Sequence, residues 1–211
     1  MDVLLDHIAQ APVIFNRVQD LRTLQPHDLL PATLSIVTQC WELDAKLQIF
    51  YDTLENSTMG PIYWPEFSKS ESPFSVAFHF ADLNTAHMLM FYWATLTMLW
   101  HGMCQLYGLL SRIAPNEKTA WDASSPEHTI NRPPSLEHRV EYISMAHNVC
   151  QSAEYCMQEQ MLGFGPSTVV APLTIIVETL RDDPNFSHEL LWIKEILGRI
   201  KAQGVKILSH V

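Results

Sequence analysis

Positive charge is scarce in this chain. Thirteen Lys and Arg stand against 23 Asp and Glu, a formal net charge of −10 over 211 residues. A surface of that sign does not grip phosphates, which excludes direct nucleic-acid binding. The one basic grouping, Lys194, Arg199, Lys201 and Lys206, reads as complement to a helix dipole plus solvation. Cysteine is equally sparse. Cys40, Cys104, Cys150 and Cys156 form no C-x-x-C, so the closely spaced soft ligands of a zinc site are missing. Reduced, buried thiols in an intracellular protein are expected instead. No G-x-x-x-x-G-K-S/T, G-x-G-x-x-G or G-x-S-x-G occurs, which argues against nucleotide cofactors and serine-hydrolase chemistry. No cofactor and no metal is expected.

The most informative absence is local. Between Leu83 and Ser111 there is no Asp, Glu, Lys or Arg, with Asp82 and Arg112 the nearest charges. Such a run is long enough to cross a bilayer. However, Asn84, His87, Thr95, Thr97, His101, Gln105 and Ser111 interrupt it, and a lone spanning helix would leave several of them in hydrocarbon. The better reading is an enclosed central helix of a bundle, with no membrane partner. At about 100° per residue, Asn84, His87, Thr95, His101 and Gln105 share one arc, while Leu89, Met90, Trp93, Leu96, Trp100, Met103, Leu106, Tyr107 and Leu110 fill most of the rest. That neutral stripe must meet hydrogen-bond partners, water or a ligand.

The rest of the chain reads as helices around this axis. Asp2 to Leu21 has helical rhythm, kinked or split by Pro12. Pro26-His27-Asp28 marks a turn, and a long helix runs from Leu29 to about Leu54. Residues 57–81, rich in Pro and aromatics, read as an extended, partly buried crossover with a short strand at Ser75–Phe80. Asp82 is placed to cap the following helix. Residues 114–134 read as an exposed loop. Further helices are expected from Ser135 to near Met161, from Pro166 to Leu180, and from Phe186 to Gln203 with Gly204 at C′. The fold expectation is all-α: a single domain, 1–211, of about six helices.

Candidate chemistry rests on few groups. His87 and His101 lie about 21 Å apart along the helix, too far to share a metal. Either is read first as a hydrogen-bonded core histidine and second as a pocket residue. His79, if on a strand, points opposite to Phe78 and Phe80, and either fixes backbone or faces a ligand. Asp44 falls on the apolar side of its helix, where it would pair with a neighbouring helix; Glu42 reads as exposed and Asp82 as a cap. His147 and Glu154 share a helix face, as a polar interhelical network or a proton-transfer pair. The catalytic candidates are therefore His79, His87, His101, Asp44 and Asp82. The aromatics and methionines, among them Tyr51, Tyr63, Trp64, Phe67, Phe91, Trp93, Met90 and Met98, would enclose a hydrophobic small molecule better than a charged one. Trp64, Asn84, His87, Phe91, Thr95, Met98, His101 and Gln105 are the ligand-binding candidates.

The order of short segments adds a resemblance. Pro61-Ile62-Tyr63-Trp64-Pro65, Pro73-Phe74 and Phe78-His79-Phe80-Ala81-Asp82-Leu83, followed by Glu154-Tyr155-Cys156-Met157, Gly165-Pro166, Pro172-Leu173 and the stretch from Arg199 to Val205, resemble the C-terminal regulatory region of fungal Zn2Cys6 zinc-cluster transcription factors. Their DNA-reading module needs six cysteines around two zinc ions and a basic stretch, and this chain has neither. The resemblance thus implies the regulatory part alone, as an excised domain or a protein without its DNA-binding end. It implies sensing an apolar metabolite or contacting a protein partner or second copy, in the nucleus when part of a transcription factor and in the cytoplasm otherwise. The alternative is a cofactor-independent enzyme of fungal natural-product biosynthesis, a cyclase, isomerase or lyase built on the same scaffold.

Overall fold

The computed structural model describes residues 2–69, 72–114, 133–161 and 163–202. The fold is all-α with one small sheet. In chain order the elements are α1 (Asp2–Ile8), α2 (Gln10–Asp20), α3 (Pro26–Ser57), β1 (Tyr63–Phe67), β2 (Val76–Phe80), α4 (Leu83–Ile113), α5 (Tyr142–Cys156), α6 (Gly165–Leu180) and α7 (Ser187–Ala202). Short 3-10 turns precede or follow several of them, including Glu137–Glu141 and Pro184–Phe186. Most of the expected loop 114–134, the C′ glycine Gly204 and Lys206 lie outside the described residues.

The chain divides into two compact units. The first comprises Asp2–Ile49 and Leu99–Val140, the second Phe50–Met98 and Glu141–Val211. The boundaries fall within α3 and within α4, so each unit owns a segment of the uncharged helix. In the first unit Leu99, Trp100, Met103, Leu106 and Leu110 are buried, as are Leu4, Ala11, Ile14, Ile36, Val37, Leu43 and Leu47. In the second, Ala86, Leu89, Met90, Trp93 and Leu96 are buried together with Val149, Cys156, Leu173, Ile176, Phe186, Ile193 and Ile200.

Local chemistry explains the boundaries. The N-terminal break comes at Ala9 rather than Pro12, because Pro12 falls in the first turn of α2, where its missing N–H costs no bond. Pro26 likewise opens α3, three residues before the expected start, since its fixed φ suits the first helical position. At the other end Asn56 Nδ2 donates to the Asp52 carbonyl, and Ser57 Oγ to that of Leu54, satisfying last-turn carbonyls. Asp82 caps α4, accepting from the Thr85 N–H at 2.8 Å.

The crossover is a hairpin. Antiparallel β1 and β2 pair Tyr63 with Phe80, Trp64 with His79 and Pro65 with Phe78. The proline density that excludes a helix does not exclude a strand with an open edge, and β1 carries Pro65 at its centre. Tyr63, Phe78 and Phe80 share one face, with Trp93 of α4 edge-on to Tyr63 at 5.2 Å. Phe67, expected within an enclosure, is 85 % exposed.

One later helix differs from expectation. The helix expected at Ser135 begins at Tyr142: Glu137, with a φ of 50°, interrupts it, and a 3-10 turn fills Glu137–Glu141. α6 starts at Gly165, which is buried. A Cβ there would lie 1.9 Å from the Cys156 carbonyl oxygen, so only glycine lets the two chain segments meet.

The polar residues within α4 are largely answered by the helix itself. Thr95 Oγ1 donates to the Phe91 carbonyl at 2.8 Å and Thr97 Oγ1 to that of Trp93 at 2.9 Å. No helix among the described residues is long and apolar enough to cross a membrane.

Candidate functional site

Asp44 sits on α3 between the buried Leu43 and Leu47 and is itself 1 % exposed. A carboxylate in that position must be matched by donors. Three converge on it. Trp100 of α4 donates its indole N–H to Oδ1 at 2.6 Å. Arg139 donates to Oδ2 from Nε at 3.0 Å and from Nη2 at 2.6 Å. The Arg139 guanidinium lies 4.3 Å over the Trp41 ring, a cation–π placement. Trp41 in turn donates to the Tyr107 hydroxyl at 2.9 Å, and that hydroxyl donates to the Pro134 carbonyl. His138 meets the Trp100 ring edge-on at 5.3 Å.

The surroundings limit what this cluster can do chemically. Burial, then the negative charge of Asp44 one turn away, push the Cys40 thiol up to about 12. Burial raises Cys104 and Tyr107 as well; for Tyr107 the Trp41 hydrogen bond and the Arg139 charge act in the opposite direction. None of these groups is an activated nucleophile at neutral pH. In the second unit burial holds Cys156 at about 11 and raises Cys150 further. Three donors hold the Asp44 carboxylate, which makes it the anchor of the cluster.

Open grooves flank the same unit, two of them beside residues already named. The larger, about 710 Å³, is lined by Leu34, Thr38, Trp41, Ala45, Pro133 and Pro134, with Glu42 at its wall. The smaller, about 430 Å³, is lined by Val18, Leu21, Leu24, Gln105, Leu106 and Arg112. Gln105 thus borders a groove, and its amide nitrogen lies 3.2 Å from His101 Nε2.

The other candidates from the sequence belong to the second unit. His79 stands opposite Trp64 across the hairpin, on the face away from Phe78 and Phe80. Its Nε2 lies 3.4 Å from Glu66 Oε2, Trp64 donates to Glu66 Oε1 at 3.2 Å, and the His79 ring meets Tyr155 edge-on at 5.7 Å. His79 therefore engages a side chain of the hairpin. His87 is half-buried against Phe91 at 4.9 Å, and desolvation lowers its pKa. Asn84 is exposed, Phe91 and Met98 are half-buried, and Thr95 is buried and bonded within its helix. Asp82 serves as the α4 cap.

His147 and Glu154 part company. His147 Nε2 lies 3.3 Å from Glu189 Oε1 of α7, with its ring stacked on Phe186. Glu154 instead accepts from Ser68 Oγ at 2.5 Å and from the Lys69 N–H at 2.8 Å, tying the hairpin to α5. The two side chains build interelement contacts, and no shared proton-transfer pair forms.

Sequence reasoning missed Arg139, Trp41 and Tyr107. The available signal was Asp44, a charge on an apolar stripe, which demands a buried cation somewhere in the chain. Among the described residues no three His, Cys, Asp or Glu side chains are grouped to hold a metal ion. Compared with known proteins, the chain matches no family model, no curated protein and no solved structure.

Proposed function

We propose that this chain is a regulatory, ligand-binding helical domain of the kind found in the C-terminal part of fungal zinc-cluster transcription factors. Its work is to take up an apolar metabolite, in the nucleus when it acts within such a factor. The observation that carries this reading is the open groove along α3, walled by Leu34, Trp41, Pro133 and Pro134 and of a size suited to a small organic molecule. Aliphatic and aromatic walls with few polar groups favour such a ligand over a charged one. The order of short motifs around the hairpin supports the family. Of the five catalytic candidates of the enzyme alternative, Asp44, Asp82 and His79 are each committed to contacts within the protein.

Native mass spectrometry and a thermal-shift screen with fungal metabolite extract test the reading. A retained mass or an extract fraction that raises Tm is the expected outcome. Leu34→Asp, at a half-buried groove position, should abolish that shift while leaving the fold intact. If nothing is retained and no fraction shifts Tm, the small-molecule reading falls.

A further inference from the structure

The contacts around Asp44 have the chemistry of a receptor whose ligand is part of the same chain. A planar guanidinium lies on an indole face, and both Nε and Nη2 bond one carboxylate that is itself oriented by a second indole N–H. Indole face plus carboxylate is a combination that distinguishes arginine from lysine, because a guanidinium stacks and donates in one plane whereas an ammonium is a compact point charge.

What delivers this guanidinium is weakly held. The turn Glu137–Glu141 contains no buried residue. Val140 is 56 % exposed, and Glu137 carries a φ of 50°, a conformation that non-glycine residues adopt at a cost. Apart from Arg139, the strap 133–140 is tied to α4 by the Tyr107 bond to the Pro134 carbonyl, a long Cys104 contact to the Arg139 carbonyl and the His138 ring against Trp100. An element whose 137–141 turn buries no residue and which carries a strained residue is drawn from the low-stability end of a structure.

We propose that the slot formed by Asp44, Trp41 and Trp100 is an arginine-recognition site that the chain fills with its own Arg139, and that an arginine side chain of a partner peptide binds there by displacing the strap. The formal charge of −10 on the chain suits a basic peptide. The strap is then an intramolecular competitor, setting a threshold that only a peptide presented at high local concentration overcomes.

The test uses the whole chain in two arms. Arg139→Ala leaves the Asp44 carboxylate without its cation and should lower Tm by roughly 6–20 °C. N-ethylguanidinium at tenfold its dissociation constant should then restore about 3–5 °C. Ethylammonium should not, and neither compound should act on Arg139→Ala combined with Asp44→Asn. The second arm needs no variant: hydrogen exchange at the Arg139 amide of the unaltered protein should accelerate at least tenfold with an arginine-rich peptide and not with its lysine counterpart. Rescue that is absent, equal for ethylammonium, or retained in the double variant overturns the site. If Arg139→Ala does not fold, the exchange arm decides, and a strap that exchanges only with global unfolding, peptide present or not, overturns the proposal.

Discussion

In the unit formed by Asp2–Ile49 and Leu99–Val140, a carboxylate, a guanidinium and two indoles meet in the interior. In the unit formed by Phe50–Met98 and Glu141–Val211, Tyr63, Phe78, Phe80, Trp93 and Tyr155 instead pack ring against ring, at centroid separations from 4.8 to 6.4 Å. The two solutions fail differently. Ring packing loses contact area in proportion to what is removed, and neighbours relax into part of the space. A buried ionic cluster loses its compensation all at once, since each remaining member keeps its desolvation cost. The first unit is accordingly the more brittle, and the more selective about which residues can replace one another.

The largest effect that would break this contrast concerns Arg139. Arg139→Ala should cost about 3–5 kcal/mol by urea denaturation, whereas pairing Arg139→Met with Asp44→Leu should recover most of the loss. A double variant no better than the single one would place the two units in the same class. Next in size is the tether of the hairpin. Glu154→Gln weakens the bonds from Ser68 Oγ and the Lys69 N–H, and should cost about 1–3 kcal/mol, with faster hydrogen exchange at Lys69.

A double-mutant cycle between Tyr63 and Trp93 sharpens the comparison from the aromatic side. Their coupling should be about 0.5–1.5 kcal/mol, well below that between Asp44 and Arg139. The smallest effect is titration of His87. Burial lowers its pKa from the ordinary 6.5, so the unfolded chain binds more protons in the window just below that value. Its contribution is therefore fully present above pH 6.5 and is lost as the pH falls toward the folded-state value. His87→Gln should flatten that part of the stability curve, read from urea midpoints between about pH 7 and pH 5.

How much of this was legible depends on whether the cause was local. The helix from Leu83 could be read because an uncharged run has one physical explanation once its polar residues rule out lipid. The cap at Asp82 and the strand ending at Phe80 were readable for the same reason. The hairpin partner Tyr63–Phe67 was not, since a central proline argues against a strand unless an edge is known to be free. Asp44 announced that it needed a partner, but Arg139 lies 95 residues away on a turn created by a left-handed glutamate, which no local pattern signals. The neutral stripe of α4 posed the converse difficulty. From sequence, Thr95 was as suited to a ligand as Gln105; in the structure Thr95 is satisfied by the preceding turn and Gln105 borders a groove.

One contact in α6 bears on how any mutational survey of this protein should be interpreted. The Cys156 carbonyl occupies the space where residue 165 would carry its first side-chain carbon. Every substitution at that position drives a side-chain carbon into that carbonyl, so Gly165 will score as intolerant as a binding residue. Intolerance there records geometry, and a map of function drawn from mutational sensitivity alone would place a site where there is only a close crossing of two segments.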